Sequence, residues 1–237
     1  MAISYYTFDF LLSLAPSIDK TSHSSILELG EATTNRLDLI NKVDRIADAT
    51  GVSRESIEAD LCACHSGLPQ NIPFTEARAI YRWVFGCGDY QAVDLGARDP
   101  SYRVDLNYPF DLGRAFDVVV NNGTSEHIFN QANVFQMMHN HVKPGGFLVH
   151  YTPCIGWTDH GFYNVQPMFF YDIARANSYK VVSCALVGHT KTLPLVPGEY
   201  KASQLAATKG LENSLMCACL QRVSAEPFHY PMQYIYA

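Results

Sequence analysis

No apolar run in these 237 residues reaches the roughly eighteen uninterrupted residues that a membrane span needs. The N-terminal run FDFLLSLAP has no basic residue ahead of it, the first being Lys20, and it carries Asp9. It therefore reads as a helix packed on the core and not as a secretory signal. Positive charge is scarce: 17 Lys and Arg against 23 Asp and Glu give a net charge of −6. That argues against a nucleic-acid surface spread over the whole molecule. Low-complexity tracts and internal repeats are absent. The seven cysteines are an odd number, and none of their spacings makes a disulfide framework. Cys62-x-Cys64-His65 and Cys217-x-Cys219 look superficially like zinc ligands, yet a spacing of two within SLMCACLQRV puts both thiols on one face of a strand. Small buried thiols in a reducing cytoplasm are the plainer reading.

What is present is globular: 48% hydrophobic and 17% charged, enough to bury a large core as one domain over 1–237. Short apolar runs alternate with helical patterns. The runs are 24–30, 90–96, 102–107, 116–122, 145–153, 179–189 and 213–223. Between the fourth and fifth, HIFNQANVFQMMHNHV repeats its apolar residues at helical spacing and is stopped by Lys143-Pro144-Gly145-Gly146. QPMFFYDIARANSY is a second such helix. The alternation predicts an α/β fold with a doubly wound, mostly parallel sheet covered on both faces. Ligands in such folds sit beyond the carboxyl ends of the strands, at a topological switch point.

Those ends are acidic. Glu28-Leu-Gly30, Asp94-Leu-Gly96 and Asp105-Leu-Asn107 close three runs, and a strand-tip carboxylate can accept hydrogen bonds from ribose hydroxyls. Gly30 is followed by EATTNR, with no second glycine, so the dinucleotide fingerprint is missing. A ribose-bearing ligand without phosphates fits better, since Glu28 and Glu31 repel phosphate and attract a cationic amino group. The fourth run ends in an unusual polar stretch, FDVVVNNGTSEHIFNQ, too long for a plain turn.

The order ELG, AVDLG, VDLN, FDVVVNNGTSEHIF, VKPGGFLVH resembles the class I S-adenosylmethionine-dependent methyltransferases, in a bacterial branch that also carries HGFYN and a Pro-Met-Phe-Phe helix. The resemblance covers nearly the whole chain apart from about 31–85, a helical insertion expected to form a lid. It implies a Rossmann-like, seven-stranded sheet whose last strand runs antiparallel, with S-adenosylmethionine as cofactor. Glu28, Gly30 and Glu31 then lie near the methionine moiety, Asp94 and Leu95 at the ribose, and Asp105 and Leu106 near the adenine. Asn122, Gly123 and Thr124 form the floor beneath the sulfonium. The missing glycines after Gly30 are a departure from the family pattern.

Methyl transfer needs an aligned acceptor, excluded water and often a base, but no metal and no covalent intermediate. His160 is the expected proton acceptor, with Glu126 and His127 shaping the floor and Tyr163 and Asn164 orienting a small-molecule or sugar-like substrate. His139 and His141 read as surface or cap residues, and His150 as a satisfied core histidine. Tyr200 and Lys201 belong to a long connection, 190–212, of the length typical of lids. Two other functions use parts of the same pattern. A nicotinamide-dependent oxidoreductase shares the sheet but not the glycines. A non-catalytic cofactor-binding or DNA-binding regulator rests on IADATGVSRESIEADL, whose helix-turn-helix pattern offers Arg54 but also Glu55, Glu58 and Asp60 to the phosphates.

Overall fold

The computed structural model describes residues 2–20, 25–35, 37–86, 88–96, 101–199, 201, 205 and 208–236. Strands β2 (Ser25–Leu29), β4 (Asp89–Asp94), β5 (Tyr102–Arg103), β6 (Phe116–Asn122), β7 (Val142–Ile155), β8 (Tyr179–Val187), β9 (Thr192–Pro194) and β10 (Ser214–Arg222) form one sheet. Its order is β5-β4-β2-β6-β7-β10-β8-β9. Strands β5 to β7 are parallel, and β10 runs antiparallel between β7 and β8, as the last strand was expected to. The sheet has eight strands, not seven, because β9 folds back as a hairpin on β8 within the connection expected to be only loop. A separate parallel pair joins β1 (Ala2–Ile3) to β3 (Thr33–Thr34).

Side chains alternate across the sheet, as the pleat requires. Val118, Val120, Cys217 and Cys219 face a core shared with α1 (Tyr5–Leu14) and α4 (Ile72–Phe85). Val119, Met216, Ala218 and Leu220 face α5 (Gln131–His141) and α6 (Pro167–Ala176). The two cysteines of β10 therefore share one face, buried and unpaired. The FDFLLSL run is a buried helix, with Phe10 edge-on to Tyr151 of β7. Asn130 caps α5 by accepting from Asn133 N, which starts that helix three residues beyond Ile128.

Three readings are corrected here. The run 102–107 gives only a two-residue strand, because Asp105 accepts from Asn107 N and turns the chain. The insertion is not a lid throughout: Tyr81, Trp83, Val84 and Phe85 bury α4 in the core as the crossover helix between β2 and β4. α2 (Val43–Thr50) and α3 (Arg54–His65) pack on the same core through one face each, with Leu37, Val43, Ile46, Ile57 and Leu61 turned inward and Ile40 exposed. His139 and His141 are buried, not surface residues. The chain after β10 crosses α5 and covers His139, which faces the Tyr179 hydroxyl at 2.6 Å and the Glu226 carbonyl at 2.9 Å, while His141 stacks on Phe110 and accepts from Leu112 N. Arg222, also buried, anchors that crossing by donating to the carbonyls of His139, Val142, Ser224 and Glu226.

The order places a switch point between β2, which leads outward to β4 and β5, and β6, which returns beside it. There the fully buried Glu28 accepts from the Tyr81 hydroxyl of α4, the Tyr90 hydroxyl of β4 (2.5 Å) and Ala32 N (3.1 Å). Burial pushes its carboxyl up from 4.5 to about 7, against the opposing pull of these donors. Between those two values the folded protein holds a proton that the unfolded chain has released. The associated stability is complete below the lower value and is lost as pH rises through the upper one. It amounts to about 3 kcal/mol. The unfolding midpoint of the cofactor-free protein is expected to fall from about pH 5 to about pH 8, and Glu28→Gln to flatten that fall. An unchanged slope in the variant would show that Glu28 is not the group responsible. Arg222→Ala is expected to cost about 2–4 kcal/mol, because several buried carbonyls lose a charged donor at once. Thermal unfolding measures the loss, and faster proteolysis within 223–236 locates it.

Candidate functional site

The exits of β2 and β6 touch. Thr124 Oγ1 donates to Leu29 O at 2.7 Å, and a Cβ built on Gly30 would fall 2.3 Å from that hydroxyl oxygen. Only glycine, here at φ +74°, allows this approach. Asp94, at the tip of β4, accepts from Glu31 N (3.1 Å) and Gly96 N (2.6 Å), joining both loops on one side of the switch point. A carboxylate has lone pairs to spare after two such bonds, so ribose hydroxyls still find acceptors there. Leu95 beside it is exposed. Asp105 is exposed with its Oδ1 taken by Asn107, whereas Leu106 is buried under the loop.

The expectation that Glu28 and Glu31 attract a ligand's amino group meets a different arrangement. Glu28 has no exposure and both its oxygens are engaged, so it supports the loop from beneath. Glu31 pairs with Arg78 of α4 at 2.6 Å. Sequence reading could not supply either partner, because both come from the insertion. On the floor, Asn121 accepts from Thr124 N and Ser125 N and so shapes the turn. Asn122 points the other way: it is buried, and neither its amide nitrogen nor its oxygen has a partner. An orphaned donor and acceptor at a ligand-binding strand end is what a polar cofactor would complete. With Gly30 and Asp94, this fits S-adenosylmethionine.

The rest of NNGTSEH meets HGFYN. The loop 156–166 leaves β7 and lies on Glu126: Phe162 N donates to Glu126 O at 2.8 Å, and a Cβ on Gly161 would come within 2.9 Å of the same oxygen. Tyr163 and Asn164 spend their side chains on this clamp, donating to Phe129 O and Gly156 O. The clamp brings His160 to Glu126 (3.5 Å) and to the ring of His127, 4.9 Å between centroids. His127 Nε2 lies 3.9 Å from the same carboxylate oxygen. Glu126 has no exposure and neither of its oxygens has a partner; burial pushes it up to about 7. His127 is half exposed, and desolvation, with His160 nearby, lowers its basicity. His150, expected to be a satisfied core residue, packs on Phe135 and Phe170 with Nδ1 unpartnered, and burial lowers it to about 3.

Sequence reading missed what lies beside this cluster. Trp157, 5.0 Å from the His160 ring, forms one wall of an open cavity of about 540 Å³ that is also lined by Tyr6, His189, Lys209, Glu212 and Asn213. Lys201 is exposed, and Tyr200 lies outside the described residues. A second cavity, between α2 and α3, is remote from the strand ends and carries Asp44 and Glu58, with Arg54 paired to Asp44. Among the described residues no helix is long and apolar enough to cross a membrane.

Three comparisons bear on this geometry. No curated protein matches the chain. Among solved structures, a chain from the complex between the Haloferax volcanii Trm112 methyltransferase activator and its methyltransferase is similar, at 12% identity and a TM-score of 0.50, over 96% of this chain and 91% of that one. The N-methyltransferase NodS from Bradyrhizobium japonicum WM9 is similar at 14% identity and a TM-score of 0.46, over 92% and 94%. The geranyl diphosphate C-methyltransferase from Streptomyces coelicolor A3(2) is similar at 15% and 0.48, over 91% and 79%. At these identities the likeness to the Haloferax chain bears on the fold alone. The methyltransferase domain family matches residues 3–181, from β1 into β8. With the strand ends disposed as such a domain requires, the chain belongs to the methyltransferase domain family and is an S-adenosylmethionine-dependent enzyme.

Proposed function

We propose that the protein methylates a small polar acceptor, of sugar-like character, held in the cavity beside Trp157. The observation that carries this reading is the contact of His160 with both parts of the site. One side of its ring faces Glu126, and the other meets the indole that walls the cavity. Aromatic faces from Trp157 and Tyr6 beside Lys209, Glu212 and Asn213 suit a ring bearing hydroxyl or amino groups.

The cofactor supplies an electrophilic methyl group on a sulfonium. Asp94 would hold its ribose, Asn122 would complete its own hydrogen bonds on it, and Gly30 with Gly123 and Thr124 would give the backbone room. Glu126, facing His160 Nε2, keeps the imidazole proton on that side and leaves Nδ1 to take the acceptor's proton. Tyr163 and Asn164 hold the loop that positions His160. The lid reading contracts to α2 and α3, since α4 is fixed in the core. Buried, unpaired thiols support a reducing, cytoplasmic setting.

Calorimetry is expected to show binding of S-adenosylmethionine and of its demethylated product, and none of NAD. Heat with NAD alone would refute the assignment. Asp94→Ala is expected to weaken cofactor binding by about 1.5–3 kcal/mol with a native circular dichroism spectrum. Once an acceptor has been found by screening, His160→Ala is expected to lower turnover about 10²–10⁴-fold with little change in cofactor affinity. Full turnover in that variant would leave alignment as the whole of catalysis.

A further inference from the structure

One potential ligand atom from each of Glu126, His127 and His160 lies within 4.8 Å of the other two. Glu126 Oε1 and Oε2 and His160 Nε2 are buried and have no hydrogen-bond partner. Unpaired buried polar atoms are costly, and of those in this structure these three meet at one point beside a third ligating side chain. The surroundings hold them in place. Trp157 packs on His160, and Phe162 N and Gly161 fix the backbone of Glu126.

We propose that Glu126, His127 and His160 bind one divalent ion of the zinc class, with its open positions turned toward the acceptor cavity. The donor set decides the class. Two imidazoles and one carboxylate suit zinc and its first-row neighbours, whereas magnesium and calcium favour shells of oxygen. Tetrahedral zinc, with bonds of about 2.0–2.1 Å, needs its ligands about 3.3 Å apart. Glu126 and His160 are already at 3.5 Å. His127, at 3.9 Å from Glu126 and 45% exposed, is free to close the remainder by turning its ring.

No metal was expected here, because methyl transfer does not require one. An ion here would change how the acceptor is activated, by coordinating its oxygen and lowering that group's pKa, with His160 acting as a ligand and not as a base. Charge then narrows the acceptor. The ion with ionised Glu126 carries a net charge of about +1 beside a cationic sulfonium, so the favoured acceptor is a hydroxyl that becomes an oxyanion on binding. The inference deepens the reading of this site as the acceptor centre and depends on that reading. The metal-free Glu126–His160 pair could perform the same deprotonation, so the reading survives if the metal site does not.

The test uses the full chain, stripped with EDTA, and zinc chloride as the probe. Calorimetry is expected to give one zinc per chain, and cobalt(II) in its place is expected to show visible ligand-field bands. Glu126→Gln, His160→Ala and His127→Ala should each weaken zinc binding by at least about 100-fold, beyond the loss typical of an outer-shell change. His127 is exposed, so that variant keeps the test valid if a buried substitution fails to fold. His65→Ala, in the insertion, should change nothing. Zinc that does not saturate at one equivalent, or that survives these substitutions, overturns the site. If zinc fails to bind, titration of S-adenosylmethionine into the same EDTA-treated protein separates the two failures: cofactor binding there sinks the metal site alone, and no cofactor binding sinks the methyltransferase assignment too.

Discussion

A carboxyl group with no exposure to water organises the cofactor end of this protein. Glu28 stands at the last turn of the central strand, where it cannot be hydrated, and so it must find donors within the chain. It takes one from α4, one from β4 and one from the loop that leaves its own strand. Two elements more than fifty residues away and the loop next to it are thereby fixed to one side chain. The loop after Gly30 needs no run of glycines to hold its course, because Ala32 N is tied to Glu28 and Glu31 N to Asp94. Side-chain acceptors do here what a glycine-rich turn does elsewhere. The missing glycines are a different way of building the same bend, with the insertion supplying the donors.

The same logic separates the two sides of the switch point. On the β2–β4 side the acids are satisfied: Glu28 by tyrosines, Glu31 by Arg78, Asp94 by backbone. On the β6–β7 side Asn122, Glu126 and His160 have buried atoms with no partner. A protein leaves polar atoms unpaired and buried where something else completes them. This division is what supports the proposal that the ribose lies on the first side and the acceptor on the second.

Much of this was legible in the sequence because it rests on local rules. Short apolar runs located β2 and β6 to within a residue and β4 to within two, and the Lys143-Pro144-Gly145-Gly146 stop located the end of α5 to within two. Contacts between distant segments were not legible. The burial of His139 depends on a tail more than eighty residues later, held by Arg222, and that of His141 on Phe110 and Leu112 well before it; nothing in their own neighbourhood announces either. The division of 31–85 into a core helix and an outer pair was half visible. IPFTEARAIYRWVF is strongly apolar, but the segment's position between two strands made one lid the simpler reading. β9 escaped because three residues of hairpin carry no period.

The motif that resisted local reading most is HGFYN. As a string it suggests substrate-binding groups, since histidine, tyrosine and asparagine all have polar tips. In the structure the string divides by role. Gly161 is there because Glu126 O leaves no room for a Cβ, and the amide of Phe162 secures that same oxygen. Asn164 closes the loop on itself and Tyr163 ties it to Phe129 O, beyond Glu126. One side chain, His160, is left to face the carboxylate, so four residues serve to place the fifth. The backbone that carries His160 is thus pinned against the Glu126 carbonyl, and Trp157 packs on its ring, so the imidazole is placed by its surroundings on two sides. A side chain held in this way keeps its geometry without a helix or strand beneath it.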